Sequence, residues 1–163
     1  MRVLQGLAIG VFALAGAAAV QADDTASVMC EQFAISGAAR SVVPVTTFDA
    51  DFSPPHHSPR NIPIEVILSD NVEEYVHFPI VQDGTYVLYS PEPDRFVGFK
   101  MKDGTSLKAT TLPAPEACSD LLKGGMTVEI TTGELTGPLP IAVELKKGPA
   151  GTVRFIVSRD PIN

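Results

Sequence analysis

In "VEEYVHFPI", residues 72–80, Val72, Glu74, Val76, Phe78 and Ile80 fall on one parity and Glu73, Tyr75, His77 and Pro79 on the other. Successive side chains of an extended chain point to opposite faces. The spacing therefore predicts a strand with an apolar face turned to a core and a polar face turned away. A helical face would repeat every three to four residues instead.

The same period recurs along the chain. "IPIEVIL" (Ile62–Leu68) places Ile62, Ile64, Val66 and Leu68 together, and "TYVLYS", "FVGFKM", "MTVEI", "LPIAVEL" and "TVRFIV" follow. Each is bounded by Gly, Pro, Asp or Ser, and the chain carries 14 prolines and 13 glycines to make the turns. Short alternating segments with turn signals every eight to twelve residues or so predict an antiparallel sandwich or barrel. The expected fold is all-β, an antiparallel β-sandwich with one or two short helical turns. Two segments compete with strand. "DDTASVMCEQFA" has acids in front and Val28 and Phe33 as apolar anchors, and reads equally as helix or strand. "APEACSDLLKGG" (Ala114–Gly125) places Pro115 at a tolerated first turn and glycine at the stop, so one or two helical turns are expected there.

The alternating strands and the "DGTYVLY" stretch are similar to small secreted jelly-roll and immunoglobulin-like modules, a resemblance that implies a sandwich and no particular activity. Within the chain, "DGTYVLYS…FVGFKMKDG" (Asp83–Gly104) and "GGMTVEIT…IAVELKKGP" (Gly124–Pro149) share an order of glycine turn, strand, proline loop, strand and basic residue. This reads either as common hairpin grammar or as two hairpins placed alike on facing sheets.

The first 22 residues have the order of a secretory signal. Arg2 precedes the apolar run Leu7–Val20, and "VQA" is followed at once by two aspartates. The run is shorter than the roughly 20 residues a bilayer span needs, so cleavage after Ala22 is expected and no span thereafter. Residues 23–163 then form one domain exported to the periplasm or secreted. Loss of Arg2 takes the net charge from −7 to −8, which excludes an electrostatic case for nucleic acid or anionic lipid. Cys30 and Cys118 are the only cysteines, and an oxidising compartment predicts a disulfide between them.

Few residues suggest chemistry. "DADFSPPHHSPR" (49–60) gathers Asp49, Asp51, His56 and His57 among prolines. It reads as a stiff exposed loop or as a His/carboxylate set for zinc or copper, which needs at least three converging groups. Glu73, Tyr75 and His77 form a polar stripe on one strand face. There is no G-x-S-x-G elbow, no D-x-D-x-D-G calcium loop and no phosphate-binding glycine loop. Tryptophan is absent, and Tyr86 and Tyr89 fall on opposite strand faces, which disfavours sugar stacking. The expected function is a non-enzymatic binding module for a protein or cell-envelope component; the alternative is a periplasmic metal-binding protein using the 49–60 loop.

Overall fold

The computed structural model describes residues 17–35, 39–46, 61–131 and 139–161, with the backbone alone for 17–23. Among these residues, one α-helix, α1 (Ala17–Ala34), precedes nine strands: β1 (Arg40–Val42), β2 (Ile64–Leu68), β3 (Glu74–Ile80), β4 (Gly84–Ser90), β5 (Phe96–Met101), β6 (Ala109–Pro113), β7 (Gly124–Ile130), β8 (Leu139–Leu145) and β9 (Gly151–Asp160). Six strands form one sheet in the order β1-β2-β9-β4-β7-β6, and three form another in the order β3-β8-β5. All pairings are antiparallel except β1 with β2.

The period-two reading places the core. Val76, Phe78 and Ile80 of β3 and Ile141, Val143 and Leu145 of β8 meet Ile64, Val66 and Leu68 of β2 and Val153, Phe155 and Val157 of β9 in one apolar cluster. Phe155 lies at its centre, fully buried, with the rings of Phe96 and Phe78 edge-on to it at centroid separations of 5.2 and 6.3 Å. Burying a side chain of this size stabilises by roughly 1.5–3 kcal/mol, so the shared cluster is what holds the two sheets together. Glu74 is the polar member of this face. It is buried, and its carboxylate accepts from the Ser69 amide (3.1 Å) and hydroxyl (2.9 Å), closing the β2–β3 turn in which Asn71 adopts φ 56°.

A second apolar cluster covers the opposite face of the six-stranded sheet. The N-terminal segment that sequence left open is helix: Ala26, Met29, Cys30 and Phe33 recur at helical spacing and pack on Val87, Tyr89 and Ile156 of β4 and β9. Phe33 is the anchor expected, whereas Val28 is only half-buried. The Arg154 guanidinium lies 4.8 Å from the centroid of the Phe33 ring, at the C-terminal end of α1. Cys30 is bonded to Cys118, with Cα atoms 5.7 Å apart, as expected. Cys118 ends a single 3-10 turn (Glu116–Cys118) in the β6–β7 connection, where one or two helical turns were expected.

The two similar stretches are not hairpins. β4 belongs to the large sheet and β5 to the small one, and β7 and β8 divide in the same way. Each stretch is a corner that crosses between sheets, and the corners lie side by side, β4 antiparallel to β7 and β5 to β8. No helix among the described residues is long and apolar enough to cross a membrane.

Candidate functional site

Among the described residues, two places collect polar side chains around a depression. The first grows from the polar face of β3. In register, Tyr75 stands beside Glu144 of β8 and His77 beside Ala142, which in turn is level with Lys100 of β5. Ala142 carries only a methyl group, so Lys100 reaches across β8. Its Nζ lies 3.0 Å from Glu144 Oε2, 3.9 Å from Glu73 Oε1 and 5.4 Å from the centre of the Tyr75 ring. The Tyr75 hydroxyl donates to Glu73. Tyr75 and Glu144 are buried on this face, so Tyr75 is not the surface residue that its polar parity suggested.

The environment shifts the titration of Lys100, Glu73 and Tyr75. The bond to Glu144, reinforced by that carboxylate's charge, raises the Lys100 pKa against the cost of desolvation. The Tyr75 hydroxyl, chiefly, holds Glu73 below the usual carboxylate value. Burial pushes Tyr75 up, as does its bond to Glu73. An ammonium, a carboxylate and a neutral phenol are each locked in the form they already hold at neutral pH. General acid–base work favours a group poised near the operating pH, and these three are moved away from it. Beside them Thr46, Asn71, Val72 and Lys147 complete an open cleft of about 360 Å³.

The second place lies where α1 leaves part of the large sheet uncovered. An inner cleft of about 230 Å³ has Val87, Tyr89 and Leu112 as its floor, Ala26 at one wall, and Thr25, Thr85, Thr127 and Asp160 around it. An outer cleft of about 730 Å³ shares Ala26 and Tyr89 and runs on between Asp24 and Ser27 of α1 and the Pro113–Ala117 segment. The two join into a groove. Its walls are α1 and the β6–β7 connection, and the Cys30–Cys118 bond fastens one to the other. Thr25 Oγ donates to Asp160 Oδ1 at 2.6 Å, and Thr85 Oγ to Glu129 Oε1 at 2.5 Å.

Of the residues singled out from sequence, Glu73 and Tyr75 are joined, and His77 is half-buried one register step along the same face. His56, His57, Asp49 and Asp51 lie outside the described residues. Among the described residues no group of three or more His, Cys, Asp or Glu is placed to hold a metal ion. Sequence reading missed Lys100 and Glu144, whose partners sit tens of residues away, and every residue of the groove. One signal was available for the latter. "TYVLY" and "RFIVS" are apolar on both parities, which marks strands covered on both faces. A layer over β4 and β9 was therefore implied, and with it an edge where that layer stops. No protein-family model matches the chain, and no curated protein is significantly similar to it.

Proposed function

We propose that this protein is an exported β-sandwich binding module, of the jelly-roll or immunoglobulin-like kind, that takes a protein or cell-envelope component into the groove beside α1. The observation that carries the reading is the groove itself: an apolar floor, polar surroundings, and two walls joined by a disulfide. Binding sites are concave and mainly apolar, with a few placed polar groups, and a covalent tie across the walls keeps the shape ready before a ligand arrives. Export is supported by the disulfide and by the signal-like first 22 residues. The sandwich reading is supported by the shared core and by a chain that changes sheet at six of the eight connections between described strands. The charge-locked cluster around Lys100 supports a binding role over a catalytic one.

Site-specific photo-crosslinking in the exporting cell tests the reading. A crosslinker at Ser27, on the groove wall, is expected to trap a defined partner or envelope component from a fraction in which the chain begins at Asp23. The same group at Ile67, exposed on β2 of the large sheet, is expected to trap nothing. Equal trapping from both positions, or a chain retained in the cytoplasm, would refute it.

A further inference from the structure

Going beyond that reading, we infer that the inner cleft of the groove takes, in addition, a small alkylammonium ligand, an unbranched apolar chain ending in a protonated amine. The polar groups of the inner cleft present more hydrogen-bond acceptors than donors, and its charge is negative. The Thr25 hydroxyl proton is committed to Asp160 and the Thr85 proton to Glu129, so each hydroxyl turns only lone pairs toward a ligand. Asp160 is an acceptor by nature. Thr127 Oγ is buried in the same wall with no partner among the described residues, so its hydroxyl can either accept or donate. Asp24 and Glu116 line the outer cleft, and no lysine or arginine lines either cleft among the described residues.

A ligand that brings acceptors would face lone pairs and negative charge. One that brings donors and positive charge meets a matched wall, and an ammonium group carries three N–H donors and no acceptor. The floor of Val87, Tyr89 and Leu112 then takes the alkyl chain. A free amine with a chain longer than the four methylenes of lysine gains more from burial against an apolar floor.

The test is calorimetric titration of the disulfide-bonded chain with n-octylammonium, 1-octanol and octanoate below their micelle concentrations, and with a lysine-containing tripeptide blocked at both ends. Octylammonium is expected to bind tightest, 1-octanol about tenfold more weakly, and octanoate and the peptide not measurably, since a charge-assisted hydrogen bond is worth roughly a factor of ten. Asp160→Asn keeps an acceptor for the Thr25 hydroxyl while removing the charge. It is expected to weaken octylammonium about tenfold and leave 1-octanol unchanged. Thr85→Val, at a half-buried position, is expected to weaken the amine severalfold and spare the alcohol, with an unchanged thermal unfolding midpoint showing that the fold survives.

If 1-octanol binds as tightly as the amine, the cation assignment falls and the groove stands. Equal binding of the lysine peptide overturns the choice of a small ligand. Amine binding that Asp160→Asn and Thr85→Val both leave intact places the site elsewhere and overturns the inference. If no alkyl compound binds the folded chain, the inference falls without touching the reading, which the Ser27 crosslink decides independently.

Discussion

Lys100 on β5 and Glu144 on β8 hold their charged atoms 3.0 Å apart on a sheet face where Ala142, level with Lys100, is completely covered. The Glu144 carboxylate is buried and the Lys100 side chain partly so, which leaves the ion pair only partly shielded from water. Removing one charge from a buried pair strands the other, which costs far more than a surface pair is worth. Lys100→Met leaves Glu144 and Glu73 facing each other with only Lys147 as a neighbouring cation among the described residues. It is expected to lower stability by about 1–2 kcal/mol in urea unfolding. The double variant Lys100→Met with Glu144→Leu is expected to recover most of that loss. A double variant as unstable as the sum of the singles would show that the pair is not coupled.

The same cluster sets a pH profile. Glu73 has its pKa lowered in the fold, so its contribution is complete above the ordinary glutamate value of about 4.3 and is lost as pH falls through the lower folded value. Tyr75 and Lys100 are raised, so theirs is complete below about 10 and is lost as pH rises through the raised values. Urea midpoints are expected to stay flat from this source between about pH 5 and pH 10 and to fall on both sides. Glu73→Gln should flatten the acid limb. Tyr75→Phe should remove one late phenolate step from an ultraviolet titration, while Tyr86, also raised by burial, keeps another.

The disulfide separates two cysteines 88 residues apart in sequence. In the chain-entropy account, closing a loop of that length stabilises by about 4–5 kcal/mol. The intact chain is expected to weigh two mass units less than its reduced form. Cys30→Ala with Cys118→Ala should lower the urea midpoint by a matching amount. It should also release α1 from the β6–β7 connection, seen as faster amide exchange in residues 26–33. Two alkylatable thiols in the untreated chain would overturn this.

Gly125 is paired with Tyr89, and a Cβ built on it would stand 1.9 Å from the Leu88 carbonyl oxygen and 2.8 Å from Tyr89 Cδ1. Backbone cannot yield as a flexible side chain does. Gly125→Ala is expected to cost about 3 kcal/mol or more, whereas Gly151→Ala, with open space around it, should cost well under 1 kcal/mol. Similar losses at the two sites would contradict the close approach of β7 to β4.

Much of the fold was legible because a strand with one buried face writes its burial into every second residue. Val76, Phe78 and Ile80 did so, and so did Ile64, Val66 and Leu68. β6 escaped notice: "ATTLP" is an edge strand, mostly exposed, with little apolar side chain to alternate. Burial could not be assigned between Glu73 and Glu74 by type. Parity puts Glu74 on the core side, and what lets a carboxylate stay there is Ser69, a contact made by the turn. Lys100 and Glu144 met through sheet register, and the groove drew its residues from α1, four strands and one loop. No local pattern encodes such a meeting.

The position of β9 sets the order in which this molecule can come together. It follows every other strand in the chain, yet it runs through the interior of the large sheet, between β2 and β4, and brings Phe155 to the centre of the core. Until it arrives, β2 and β4 have no common neighbour, and Phe78 and Phe96 have no ring between them. A chain emerging from the ribosome amino-end first therefore cannot close this sheet or fill the centre of this core until β9 has been made.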